Sequence, residues 1–122
     1  MEIEMDQRNW QKTFSGSIVI TDEEGIITEM NDFSIESYRK NGGAQLVGKN
    51  VMDCHPEPSL TRLKALFAEG AVNAYIITKN GRQKMIYQPP YFTDGSFAGM
   101  VELSLPLPDE LPHFNRDKKY PV

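Results

Sequence analysis

Apolar positions along this chain follow two different periods, and the change of period marks out its elements. Over residues 2–14 the spacing is helical: Ile3, Trp10 and Phe14 recur at offsets that return to one side of a helix. Gly16 follows as a C-terminal stop. Ser17-Ile18-Val19-Ile20-Thr21 is β-branched and apolar, the composition of a largely buried strand. Asp22-Glu23-Glu24-Gly25 is a turn, because Asp bonds its own backbone and Gly supplies a positive φ. Ile26-Ile27-Thr28 resumes the strand, so the unit is a β-hairpin. Asn31 then stands where a helix N-cap belongs, before Asp32-Phe33-Ser34.

Residues 31–40 form a short helix that carries Phe33, Tyr38 and Ile35 inward, and Asn41-Gly42-Gly43 breaks it. Residues 46–52 read as an irregular or single-turn segment leading into Asp53-Cys54-His55-Pro56-Glu57-Pro58. Residues 59–69 are the strongest helix: Leu60, Leu63, Leu66 and Phe67 share a stripe, Arg62 and Lys64 lie off it, and Gly70 stops it. From Val72 onward the period is two. Residues 72–79 and 82–91 are strands joined by the turn Asn80-Gly81. Met85 and Tyr87 face one way, Lys84 and Ile86 the other. Pro89-Pro90 removes two backbone donors, so the strand must bend, bulge or lie at an edge there. After Thr93-Asp94-Gly95, residues 96–105 are the last strand, with Phe97, Val101, Leu103 and Leu105 on one face and Pro106 and Pro108 beyond it. Two strands, a helical insert and three strands give an α+β domain with an antiparallel sheet, one face covered by the insert.

Composition adds bounds. The 122 residues suffice for one core, and 39% hydrophobic with 25% charged residues is ordinary for a globular domain. No apolar run is long enough to cross a bilayer, and the acidic start from Met1 to Asp6 is not a secretory signal. The net charge of −4 disfavours a nucleic-acid partner, and Arg116, Lys118 and Lys119 read as a solvated tail. Cys54 is the single cysteine, which excludes an intrachain disulfide and suits a reducing, cytoplasmic setting. Gly42-Gly43 lacks the Lys-Ser/Thr of a phosphate-binding loop and terminates a helix instead.

Three stretches in this order and spacing, IVITDEEGIITEMN, LVGKNV and KNGRQKMIYQPPYFTDGSFAGMVELS, resemble a PAS domain over residues 16–106. The Cys54-His55-Pro56 run, the Leu/Phe helix and the closing pattern from Gly95 to Ser104 are similar to PAS modules attached to hemerythrin-like proteins. The resemblance implies a five-stranded antiparallel sheet with helices on one face enclosing a pocket. Outside the resemblance, residues 1–15 read as a flanking helix and 107–122 as a tail. Family members bind haem, flavin, small acids or fatty acids there, or bind nothing and only dimerise; fold alone does not choose among these.

Against that background Phe33, Tyr38, Phe67, Tyr75, Met85 and Tyr87 are candidates to line a pocket, and plain core filler is the alternative. His55 is a candidate axial ligand for haem. Haem-binding relatives place that His on the long helix, whereas residues 59–69 contain none, and His113 lies in the tail. Cys54 and His55 with Asp53 and Glu57 are too close in sequence to converge readily on zinc. The plain alternative is a loop cysteine tucked into the core and a histidine that sets the helix entry. As a catalytic pair, adjacent Cys54 and His55 diverge and lack a third orienting group. Asp53-Cys54-His55-Pro56 also departs from the Asn-Cys-Arg-type context of the family's flavin photosensors. Glu102 falls opposite the apolar face of the last strand and reads as solvated on the outer face, with a buried ligand acceptor as the alternative. The expectation is a non-enzymatic sensory or interaction module, homodimeric through Ile3, Trp10 and Phe14, acting on a signalling partner.

Overall fold

The computed structural model describes residues 9–117. Ile3, Lys118 and Lys119 lie outside the described residues, as does most of the helix expected over 2–14. Of the described part of that expected helix only α1, Trp10–Thr13, is helical. Phe14 takes an extended conformation (φ −55°, ψ 137°), so the helix ends there and not at Gly16. Gly16 has another reason to be small: a Cβ on it would lie 2.9 Å from a Phe14 ring carbon and 3.1 Å from Leu105. Lys12 pairs with Asp32 at 2.9 Å, tying α1 to the next helix.

The expected hairpin is present as β1, Ser17–Thr21, and β2, Ile27–Met30. Asp22 makes the turn: its Oδ1 accepts from Glu24 N at 3.0 Å and Ile26 N at 2.9 Å, while Gly25 sits at φ +91°. Asn31 caps α2, Asp32–Ser37, by accepting from Ser34 N at 3.0 Å. Its reach goes further. Oδ1 also accepts from Ile18 N at 2.9 Å, and Nδ2 donates to Gly16 O at 2.9 Å and Phe14 O at 3.4 Å. One buried amide therefore joins the N-terminal segment, β1 and α2, with its hydrogen-bonding capacity used.

Three short 3-10 turns follow, over Arg39–Asn41, Gly43–Leu46 and Val51–Cys54. The stretch between the last two is stitched to the hairpin: Gly48 N donates to Ile27 O, Ile27 N to Lys49 O, and Val51 N to Gly25 O, at 2.8–2.9 Å. The long helix α3 spans Ser59–Glu69, as its stripe predicts, and closes on Gly70 in the left-handed region at φ +60°. Glu57 completes its start by accepting from Thr61 N at 3.0 Å.

The remaining strands are β3, Asn73–Lys79; β4, Arg82–Gln88; β5, Pro90–Thr93; and β6, Ser96–Pro106. Asn80 and Gly81, at φ +55° and +74°, turn β3 into β4, and Asp94 and Gly95, at +51° and +82°, turn β5 into β6. These are the positive-φ pairs that tight hairpins need. The sheet is antiparallel with order β2-β1-β6-β4-β3, and β5 pairs β6. Pro89 divides the strand expected over 82–91 in two, so the sheet has six strands where five were expected. Where β1 ends against β6, Gly99 permits a close crossing: a Cβ there would meet Thr21 O at 1.9 Å.

Helices cover one sheet face, but they fill it poorly. Among the described residues the buried apolar side chains are Ile18, Val19, Ile27, Ile86 and Met100, and none of them is on a helix. Leu60, Leu63, Leu66 and Phe67 are only half-buried. The amphipathic stripe of α3 thus faces the sheet across open space, leaving part of its burial energy unrealised. No helix among the described residues is long and apolar enough to cross a membrane.

Candidate functional site

That open space is a cavity of about 520 Å³, within the range of small-molecule sites. Its sheet wall is Val19 and Thr21 of β1, Ile27 and Met30 of β2, Gln88 of β4, and Met100 and Glu102 of β6. Leu63, Leu66 and Phe67 of α3 form the opposite wall. Tyr38, Asn41, Leu46 and Val51 close the sides, with Cys54 and His55 at the end of the last 3-10 turn.

Of the residues singled out from the sequence, Tyr38, Phe67 and His55 line this cavity, whereas Phe33, Tyr75, Met85 and Tyr87 do not. Strand register gives the reason for two of them. Val19 pairs with Glu102, and both face the cavity; Tyr87 pairs with Leu103 and Met85 with Leu105, one residue out of phase. Side chains alternate across a sheet, so Met85 and Tyr87 lie on the outer face. The same register corrects Glu102. It is half-buried on the inner face, and the apolar set Val101, Leu103 and Leu105 is the outer one. Tyr75 pairs with Ile86, so it shares the inner face at the edge of the sheet, 44% exposed. Phe33 lies on α2 away from the cavity wall.

Glu102 organises the polar end of the cavity. Its Oε2 accepts from Gln88 Nε2 at 2.6 Å, and Oε1 from the Tyr38 hydroxyl at 3.4 Å. Gln88 is held in turn by Asn73, whose Nδ2 donates to Oε1 at 2.9 Å. Burial, reinforced by the Glu102 charge, pushes the Tyr38 phenol far above its ordinary value, so it serves as a neutral donor. Tyr75 is raised for the same two causes in the same order. Among the described residues the ion pairs are Lys12–Asp32 and Glu36–Arg39, so neither involves Glu102.

Cys54 and His55 are exposed, so Cys54 is not tucked into the core as one expectation had it. Each bonds back to its own 3-10 turn: Cys54 Sγ lies 3.8 Å from Asn50 O, and His55 Nδ1 lies 2.7 Å from Val51 O. A carbonyl can only accept, so Nδ1 carries a proton, and when the ring is neutral its lone pair is on Nε2. Glu57 is committed to Thr61, whose hydrogen bonds hold its carboxyl below the usual range. Among the described residues no three His, Cys, Asp or Glu side chains gather as a metal site.

No protein-family model matches the chain, and no curated protein is similar to it in sequence. Solved structures do match. A sensory box sensor histidine kinase from Vibrio cholerae superposes with a TM-score of 0.60 at 15% identity, over 88% of this chain and 92% of that one. The PAS domain of BvgS from Bordetella pertussis gives 0.59 at 19% identity, over 89% of each chain. The chain has the PAS fold. A third PAS structure, the Aer2 receptor from Vibrio cholerae, a dual PAS-haem oxygen sensor, gives 0.57 at 17% identity over 76% of this chain and 95% of that one. In this PAS fold the cavity lies between the helical insert and the sheet, where the resemblance placed a pocket. Sequence reasoning missed Gln88 and Met100 as wall residues and held Glu102 there only as the alternative to a solvated outer position. The available signal was a carboxylate at position 102 inside an otherwise apolar strand.

Haem has a partial fit here. The cavity offers an apolar interior and a His55 Nε2 lone pair, the arrangement that suits an axial imidazole. Among the described residues its lining contains no Lys or Arg to meet the propionates, and it carries the Glu102 charge.

Proposed function

We propose that this PAS-fold chain is a sensory or signalling module that takes a small, largely apolar ligand into the cavity between α3 and the sheet. One observation carries the reading: the stripe Leu63, Leu66 and Phe67 is half-buried over a cavity of about 520 Å³ instead of packed against the sheet. A ligand would complete the core, so occupancy and stability are linked. It would act by favouring one packing of α3 and the hairpin over another, which requires different affinity for the two states. Residues 16–106 are the sensing unit and 1–15 the flanking segment through which it signals or pairs. A homodimer through that segment rests on the exposed Trp10, edge-on to Phe14 with ring centres 5.6 Å apart. The module is non-enzymatic and works in a reducing compartment, readings supported by the back-bonded, separate Cys54 and His55 and by the free thiol.

Protein purified without additives is the test. Native mass spectrometry is expected to show a bound small molecule, or thermal melting to rise by several degrees with a cavity ligand. A bare mass, together with no melting shift across a small-molecule panel, contradicts ligand sensing and leaves a dimerisation scaffold with an empty core.

A second reading is favoured by the His55 tautomer: haem held by Nε2. It predicts a Soret band on haem addition that His55→Ala removes; a band unchanged in His55→Ala contradicts it.

A further inference from the structure

We propose that the cavity selects an organic cation, a protonated amine with an apolar body, by pairing its ammonium with Glu102. The inference rests on the cavity being a ligand site and concerns only which head group it takes.

The argument starts from charge. Among the described residues Glu102 is the only carboxylate in the cavity wall, and no Lys or Arg lines it. The donors that reach it, Tyr38 and Gln88, are neutral, so they orient the carboxylate without cancelling its charge. A half-buried carboxylate without a cation is a costly arrangement, and a ligand ammonium relieves it. The Tyr38 contact at 3.4 Å is long for an O–H···O⁻ bond, which leaves Oε1 with capacity for a second, shorter donor.

The remaining wall suits the body of such a ligand. From Glu102 the inner sheet face continues through Met100 and Val19, and Leu66 and Phe67 face it from α3. An anionic head fares badly throughout. It would meet the Glu102 charge, and His55, the one basic side chain of the wall among the described residues, has its Nδ1 hydrogen committed to Val51 O.

The test is a matched series on the full chain: butylamine, 2-phenylethylamine and tryptamine, each against the alcohol and the carboxylic acid of the same body. Calorimetry and thermal melting read the affinities. For the body that fits, the amine is expected to bind about tenfold or more tighter than the alcohol, and the acid not measurably. Glu102→Gln is expected to bring amine and alcohol level, and Met85→Leu, on the outer face of the sheet, to preserve the preference. The wild-type series decides the matter even if Glu102→Gln does not fold. Acids or alcohols binding as tightly as amines overturn the cation proposal and leave the cavity reading standing. An amine preference that survives in folded Glu102→Gln also overturns it. If no member of any body binds, both readings fall together.

Discussion

The Tyr38 hydroxyl lies 3.4 Å from Glu102 Oε1, joining the end of α2 to the inner face of β6 across 64 positions of sequence. This contact marks the polar end of an otherwise apolar cavity, and it gives the phenol a pH signature. Burial and the Glu102 charge raise Tyr38 above its ordinary 10.0 in the folded chain. Above that pH the unfolded chain loses the phenolic proton while the folded chain retains it. The unfolded state then binds fewer protons, so stability falls as pH rises beyond about 10. Denaturant melts between pH 8 and 11.5 should show that fall, and Tyr38→Phe should make it shallower. Tyr75 and Tyr91 are raised too, so some decline persists in the variant. An equal decline in both proteins would place Tyr38 outside this environment.

Asn31 is the next test. It is 5% exposed and its side chain makes four hydrogen bonds, to Phe14, Gly16, Ile18 and Ser34. Asn31→Ala removes a cap and strands several buried backbone groups, for an expected loss of about 2–4 kcal/mol in denaturant unfolding. Asn31→Asp retains the two accepted bonds but not the two donated ones, and should fall between Ala and the parent. A loss below 1 kcal/mol for Ala would contradict the joint.

Gly99 and Gly81 make a controlled pair. Both have positive φ, +154° and +74°, but a Cβ at 99 would strike Thr21 O whereas nothing lies within 4 Å of one at 81. Gly81→Ala therefore costs only backbone strain, about 1–2 kcal/mol. Gly99→Ala also forces β1 away from β6 and should cost more than about 3 kcal/mol, read as a lower melting temperature or loss of soluble protein. Equal costs would mean that β1 does not cross β6 so closely.

Trp10 reports on pairing between copies. It is 61% exposed, so replacing it removes little packing within one chain. Sedimentation equilibrium should find a dimer for the parent chain and a weakened dimer for Trp10→Ala, with near-parent melting at low concentration. A parent chain that is monomeric at high micromolar concentration contradicts the proposed dimer.

The first hairpin, its Asp22-Gly25 turn, the Asn31 cap and helix 59–69 were all legible because each rests on local chemistry. Turn residues, a cap and a stripe act within a few positions. The cavity wall was legible only in part. Alternation along β4 and β6 correctly separates Met85 and Tyr87 from Ile86, and Glu102 from Leu103, but it does not say which set faces the helices. Assuming that the more apolar set faces inward reversed the assignment, because in β6 the more apolar set, Val101, Leu103 and Leu105, is the outer one. Only the register of β1 on β6, with Val19 opposite Glu102, decides the matter. His55 was visible as a candidate, yet its tautomer depends on Val51 O, a backbone atom whose position no side-chain pattern encodes.

The central claim is that the space between α3 and the sheet receives a ligand, and methyl-labelled methionine provides its most direct test. Met30 and Met100 line the cavity, while Met85 lies on the opposite face of the sheet. In methyl NMR titrations with the amine, alcohol and acid series, the Met30 and Met100 signals should move in a saturable way with a member that binds while Met85 stays in place. Signals that remain fixed at Met30 and Met100 with every member of the series, or move only at Met85, would contradict it.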